Sequence, residues 1–126
     1  MIKKAVFAAL ASAVLFAAPA QAAGDAAAGE KVFNQCKACH EVEKGVNKVG
    51  PTLKGVVGRK AASVEGYKYS AAMTAKGAEG VVWDEATLDK YLTNPRAAVP
   101  GTKMSFAGIA DAAKRKELIT WLMAQK

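Results

Sequence analysis

Two thiols and one imidazole lie within five consecutive residues, as Cys36, Cys39 and His40, and the 126-residue chain contains no other cysteine or histidine. A thioredoxin-like redox pair would need a βαβ context, which the surrounding sequence does not predict. A zinc site needs about four protein ligands, and this motif supplies three candidates. A plain disulfide between the two cysteines would leave His40 without a role.

The spacing Cys-x-x-Cys-His is the attachment signature of a c-type haem. In that chemistry the two thiols add to vinyl groups on adjacent pyrrole rings and become thioethers. The imidazole that follows lies beneath the iron as its proximal ligand. The motif therefore predicts one haem c, bound covalently through Cys36 and Cys39, with His40 on the iron.

The residues alone leave the sixth coordination position of that iron open. Met73, Met104, Met123, a lysine or no protein group could occupy it, and bis-histidine ligation is excluded because there is one histidine. Met104 lies in a segment with two prolines and two glycines, "NPRAAVPGTKMSFAGI", which could hold a thioether rigidly. An open position would instead suit a haem enzyme or a gas sensor, and a haem-free dithiol protein is a third alternative.

The first 22 residues have the features of a cleaved secretory signal. Lys3 and Lys4 precede an apolar run from Ala5 to Ala18, and small residues follow at Ala20 and Ala22. This run is shorter than the roughly 20 residues that a bilayer span requires. We expect residues 1–22 to be a signal peptide and residues 23–126 to form one domain, exported to the periplasm without stable membrane insertion.

Capping residues and hydrophobic spacing predict four helices and no persistent strand pattern. Asp25 can cap a helix over residues 26–39, and Asp111 can cap a helix over residues 112–125. Asp84 can cap a third helix, which Pro95 is expected to stop. A short helix is predicted to end at Gly77. The glycine-rich segment 44–60 predicts loops, so the fold class is all-α, with loops wrapped around the cofactor.

The formal net charge of the chain is +7. A basic protein of this size favours an acidic partner surface. Nucleic acid is not the expected partner, because the protein is predicted to be exported and its three arginines, Arg59, Arg96 and Arg115, are not clustered.

The whole of the predicted mature chain resembles class I cytochrome c, the mitochondrial type and its soluble bacterial relatives. The segments "CKACHEVEKG", "KVGPTLKGVVGRK", "GYKYS", "TLDKYLTNP" and "PGTKMSFAGI" occur in the order of that family. The resemblance implies the cytochrome c fold, in which the N- and C-terminal helices cross and short helices and loops wrap one haem. It also implies a soluble periplasmic one-electron carrier, not an enzyme, that shuttles between a quinol-oxidising complex and a terminal oxidase, a reaction centre or a periplasmic reductase or dehydrogenase.

The resemblance also implies the roles of individual residues. Met104 matches the axial methionine of the family, and the Pro51 carbonyl would accept a hydrogen bond from His40. Three residues would hydrogen-bond a haem propionate, namely Arg59, Tyr69 and Trp83. Two would line the methionine side of the haem, namely Tyr91 and Thr102.

Packing and docking are implied in the same way. Gly29 and Phe33 would cross the terminal helix near Leu118 and Trp121. The lysines expected around the exposed haem edge, where a monomer would meet acidic redox partners transiently, are Lys37, Lys48 and Lys103. The chain departs from the family in having Gln35 before the motif, a longer segment from Tyr69 to Trp83, and a span from His40 to Pro51 that is one residue shorter.

Overall fold

The computed structural model describes residues 25–126, and the predicted signal peptide lies outside them. Across these residues there are five α-helices and one 3₁₀ turn, with a single antiparallel bridge between Lys60 and Val82 and no longer strand pairing. The helices are α1 (Ala26–Phe33), α2 (Ala71–Ala78), α3 (Glu85–Thr93), α4 (Pro95–Ala98) and α5 (Ala112–Met123), and the 3₁₀ turn covers Asn34–Cys36. The all-α prediction is confirmed.

The first helix begins where the sequence predicts, because the Asp25 carboxylate accepts hydrogen bonds from the backbone N–H groups of Ala27 and Ala28. The prediction that it continues to residue 39 is wrong. After Phe33 the chain tightens into the 3₁₀ turn, and the Cys36 carbonyl then accepts from the N–H groups of both Cys39 and His40. This local winding brings the two thiols and the imidazole onto one short turn.

The crossing of α1 and α5 forms the centre of the core. Phe33 and Leu118 are almost fully buried, and the Phe33 ring centroid lies 4.7 Å from that of Trp121. Gly29 allows the close approach, because a Cβ added there would overlap the Glu117 carbonyl and lie 2.8 Å from Cβ of Trp121. The predicted contact between the terminal helices is confirmed.

The third helix presents Leu88 and Leu92 to the core, with Tyr91 half-buried beside them. Its N-terminus is capped by Asp84, which accepts from the Thr87 N–H at 2.8 Å. It ends at Thr93, before Pro95, as expected from the restriction that proline places on its predecessor. Pro95 also occupies the first turn of α4, where its missing N–H costs nothing.

The predicted end of α2 at Gly77 is wrong. The helix continues to Ala78, and Gly80, with φ of +83°, follows the C-capping Glu79. Gly77 is buried inside the helix instead, because a Cβ there would lie 2.7 Å from the Ala61 carbonyl oxygen. The glycine thus serves close packing against the loop at Ala61.

A buried arginine joins three parts of the fold. Arg115, in the basic cluster at the start of α5, donates from Nε to Asp89 of α3 at 2.8 Å. Its Nη1 donates to the carbonyls of Ile109 and Ala110 at 2.8 and 2.9 Å. The cationic group is therefore placed near the helix N-terminus by specific partners, which outweigh the unfavourable helix dipole.

No helix within residues 25–126 is long and apolar enough to cross a membrane.

We expect Gly29→Ala to destabilise the protein, although alanine is the better helix former at an open position. Overpacking against Glu117 should lower the free energy of unfolding by about 1–3 kcal/mol. Urea denaturation of the haem-loaded protein measures this. The matched control is Ala75→Gly on the exposed face of α2, which should cost at most about 1 kcal/mol through helix propensity. A Gly29→Ala protein as stable as the parent would contradict the tight crossing.

Candidate functional site

The two thiols of the motif are unpaired and half-buried. Burial, with a smaller contribution from neighbouring Cys39, raises the pKa of Cys36 to about 11. Cys36 is therefore a neutral thiol near pH 7 and lacks the low pKa of a redox-active cysteine. Among residues 25–126, no group of three or more His, Cys, Asp or Glu side chains is arranged to hold a metal ion.

The imidazole of His40 is oriented by one hydrogen bond. Nδ1 lies 2.7 Å from the carbonyl oxygen of Pro51, and a carbonyl can only accept, so Nδ1 carries the proton. Burial lowers the pKa of His40, an effect that the hydrogen bond to Pro51 partly offsets. The ring is thus neutral at physiological pH, with the lone pair of Nε2 available to a metal.

Gly50 makes room for this ring. A Cβ added at Gly50 would overlap Cε1 of His40 and lie 2.8 Å from Nδ1. The residue was not among the predicted site residues. The sequence gives only a slight indication of this role of Gly50, because the residue directly precedes Pro51, the expected hydrogen-bond acceptor.

The loop from Glu41 to Thr52 joins His40 to its acceptor and is closed by the Glu41 side chain. Hydrogen bonds lower the pKa of Glu41, the largest effect coming from the Lys44 N–H. The sequence assigns Glu41 no role, because three of its partners in the loop are backbone N–H groups that no residue pattern marks, and the fourth, the Thr52 hydroxyl, is eleven residues away.

The Arg59 side chain lies near the acceptor of His40, because it is hydrogen-bonded to backbone carbonyls just after Pro51. Nη1 donates to the carbonyls of Thr52 and Lys54 at 3.0 and 3.3 Å. Its Nε is buried and has no hydrogen-bond partner among the described residues. Burial lowers the pKa of Arg59, and Tyr69 partly offsets this. A buried guanidinium N–H without an acceptor indicates a place for an anionic group.

Tyr69 belongs to an aromatic pair beside this region. Its hydroxyl accepts from the Val64 N–H at 3.0 Å, and its ring meets Tyr67 edge-on with centroids 4.8 Å apart. Tyr67, which was not predicted as a site residue, donates its hydroxyl to the Val49 carbonyl at 2.8 Å. The pair thereby connects the loop near Val64 with the loop that precedes Pro51.

The second group of predicted residues gathers around Met104. Trp83 is buried, and its ring centroid lies 4.9 Å from that of Tyr91. The Tyr91 hydroxyl lies 4.0 Å from Sδ of Met104, and burial raises the pKa of Tyr91. The Thr102 hydroxyl accepts from the Met104 N–H at 3.3 Å. A thioether is thus held at a defined place by a phenol and a loop hydrogen bond.

The other two candidate methionines lie in different settings. Met73 packs against the core from α2, and Met123 is exposed at the end of α5.

The three predicted docking lysines, Lys37, Lys48 and Lys103, are exposed. Lys48 donates from Nζ to the Lys37 carbonyl at 2.8 Å, so its charge is held beside the attachment motif. Lys37 and Lys48 also line a groove next to His40.

These features together fit a haem. Its two vinyl groups would take the unpaired thiols, its iron would take an imidazole nitrogen and a thioether sulfur, and a propionate would supply the acceptor that the buried Nε of Arg59 lacks.

Comparisons with known proteins agree with that fit. The family described as cytochrome c matches residues 26–126. Cytochrome c2 of Rhodomicrobium vannielii is 50% identical over 115 residues, which cover 90% of each chain. Cytochrome c-554 of Methylosinus trichosporium is 54% identical over 106 residues, 81% of this chain and 78% of its own.

A solved structure, cytochrome cH from Methylobacterium extorquens, superposes with a TM-score of 0.71 at 53% identity. The match covers 79% of this chain and 97% of that one.

Gly50→Ala is expected to displace the His40 ring and weaken its hydrogen bond to Pro51. Overpacking of this kind lowers the free energy of unfolding by about 1–3 kcal/mol, and the His40 Nδ1 proton should exchange faster with solvent. Denaturation and NMR of the haem-loaded protein measure both effects. Val49→Ala removes a neighbouring side chain that is 75% exposed, and should change stability by no more than about 0.5 kcal/mol. Equal behaviour of the two variants would contradict the tight fit at Gly50.

Proposed function

The chain belongs to the cytochrome c family, and we propose that it is a periplasmic one-electron carrier whose haem iron is held by His40 and Met104. Members of the family are electron carriers and not enzymes, which removes the haem-enzyme alternative. They carry one covalent haem c, here attached through Cys36 and Cys39, which removes the haem-free dithiol alternative. When bound, the haem supplies a reversible one-electron couple at its iron.

The observation that carries the proposal is the hydrogen bond from His40 Nδ1 to the Pro51 carbonyl at 2.7 Å. It fixes the tautomer and the direction of the ring, and it leaves Nε2 as the basic nitrogen. A carbonyl acceptor behind a ligating imidazole also makes that imidazole a stronger donor to the metal. The hydrogen bond thus orients His40 so that Nε2 could serve as a ligand to the haem iron.

Met104 is proposed as the second axial ligand because its sulfur is positioned by the protein. The Tyr91 hydroxyl lies 4.0 Å from Sδ, and Thr102 holds the backbone N–H of the same residue. A thioether ligand favours the ferrous state and raises the reduction potential. With His40 and Met104 both supplied by the protein as ligands, electron transfer at the bound haem would require little rearrangement of the surrounding residues.

Arg59, Tyr69 and Trp83 are proposed to bind a propionate. The best support is the buried Nε of Arg59, which has no acceptor within the described part of the chain. The Tyr69 hydroxyl already accepts from Val64, so its own proton is available to donate. Trp83 is buried next to Tyr91 and would contribute its indole N–H.

The pattern of the N-terminal residues supports export of the protein. We propose that residues 1–22 are removed as a signal peptide and that residues 23–126 fold around the haem in the periplasm. The proposed carrier is a monomer that binds neither nucleic acid nor membrane stably.

Lys37, Lys48 and Lys103 are proposed to steer the carrier toward acidic surfaces of its redox partners. All three are exposed, and Lys48 is fixed next to the attachment motif. Charges of this kind raise the association rate more than the affinity, which suits a carrier that must dissociate after each transfer. The proposed partners are a quinol-oxidising complex on one side and a terminal oxidase, reaction centre or periplasmic reductase or dehydrogenase on the other.

Replacing Met104 by leucine tests the axial assignment. Met104→Leu should abolish the weak long-wavelength band between sulfur and ferric iron, and the ferrous protein should bind carbon monoxide at once. Absorption spectra with and without carbon monoxide measure both. The control Met123→Leu changes an exposed methionine and should leave both properties as in the parent. Retention of the sulfur band in Met104→Leu would place another group on the iron.

Reversing the charge at Lys48 tests the docking surface. Lys48→Glu should slow electron exchange with an acidic partner at low salt, and the defect should shrink at high ionic strength because exposed charges are screened. Stopped-flow kinetics across a salt series measure it. Lys90→Glu makes the same charge change on the exposed side of α3 and should have a smaller effect. A defect independent of salt, or equal in both variants, would contradict steering by Lys48.

A further inference from the structure

One carboxylate closes the loop between His40 and Pro51. Oε2 of Glu41 accepts from the backbone N–H groups of Glu43 and Lys44 at 3.1 and 2.8 Å. Oε1 accepts from the Val46 N–H at 2.7 Å and from the Thr52 hydroxyl at 3.0 Å. Each oxygen thus uses both of its lone pairs on groups of this loop.

The same two ends of the loop are joined by further hydrogen bonds. The Glu41 carbonyl accepts from the Leu53 N–H at 2.9 Å, and it lies 3.2 Å from the Thr52 hydroxyl, whose single proton it shares with Oε1. The Thr52 N–H in turn donates to the Asn47 side chain at 3.0 Å. Glu41 directly follows His40 and Thr52 directly follows Pro51, so these contacts fix the position of the Pro51 carbonyl relative to the His40 ring.

We propose that Glu41 is a positioning residue for the hydrogen bond from His40 to Pro51, and that it thereby tunes the reduction potential of the iron. Glu41 acts through the loop, by holding the acceptor of the imidazole proton in place. The proposal rests on the proposed function, because it takes His40 as the axial ligand.

The direction of the effect follows from the chemistry of the ligand. An imidazole that donates its Nδ1 proton to a carbonyl is a stronger donor to iron and stabilises the ferric state. Loosening the loop weakens this hydrogen bond, so the reduction potential rises. Removal of a nearby negative charge also raises the potential, so the test must separate loop closure from charge.

Three variants make that separation. Glu41→Gln keeps one acceptor oxygen and replaces the other by an NH₂ donor, which then faces either the Glu43 and Lys44 N–H groups or the Val46 N–H and the Thr52 hydroxyl, so half of the closure is lost. Glu43→Gln removes the same charge from an exposed side chain of the same loop. Thr52→Val removes a donor to Oε1 of Glu41 without changing the charge. At about 1 M salt the Debye length is about 3 Å, so charge effects between exposed groups are largely screened.

The experiment is a redox titration of the four haem-loaded proteins at low salt and at about 1 M salt, together with amide hydrogen exchange of the reduced forms. At high salt Glu41→Gln and Thr52→Val should have a higher potential than the parent, and Glu43→Gln should match the parent. In Glu41→Gln the amide of Lys44 or that of Val46, whichever faces the new NH₂ group, should exchange at least about tenfold faster, as expected for loss of a charge-assisted hydrogen bond.

Two results would overturn the proposal. If the potential of Glu41→Gln shifts only at low salt and no more than that of Glu43→Gln, the carboxylate acts as a charge alone. If the amides exchange faster but the potential at high salt is unchanged, Glu41 closes the loop without positioning His40. Immediate carbon monoxide binding by the parent would instead overturn Met104 ligation, while the comparison among the four proteins would still test the His40 side.

Discussion

The hydrogen bond between His40 Nδ1 and the Pro51 carbonyl is the contact that the site depends on. It selects the tautomer that exposes Nε2, and it sets the direction of the imidazole ring. The ring fits against the backbone at Gly50, where a Cβ would overlap it. The loop from Glu41 to Thr52 has no regular secondary structure. Side-chain hydrogen bonds hold it in place instead. The geometry of the proposed ligand is thus a property of a loop, stabilised locally.

The crossing of α1 and α5 positions the turn that leads into that loop. Gly29 brings the two helices into contact, and Phe33 anchors the end of α1 against Trp121 directly before the turn that carries both thiols. On the methionine side, Arg115 links α5 to Asp89 of α3 and to the carbonyls that end the Met104 loop. The loop that carries His40 and the loop that carries Met104, its proposed partner ligand, are therefore attached to one small helical core.

The sequence predicts the parts of this arrangement that are local or that carry a family motif. Helix caps at Asp25, Asp84 and Asp111 are readable because the capping residue and the helix start are adjacent. Gly77 was misread as a helix end because the packing partner that requires a glycine, Ala61, is distant in sequence. The hydrogen bonds of Glu41 escaped prediction for a related reason, since they depend on the folded path of the loop.

The most direct test of the account is the visible spectrum of the purified haem-loaded protein, oxidised and reduced, with carbon monoxide added to the reduced form. The account predicts sharp low-spin bands, a weak long-wavelength band from sulfur to ferric iron, and no prompt response to carbon monoxide. A high-spin spectrum that shifts at once with carbon monoxide would mean that no thioether occupies the sixth position, and would contradict the proposed His40 and Met104 ligation.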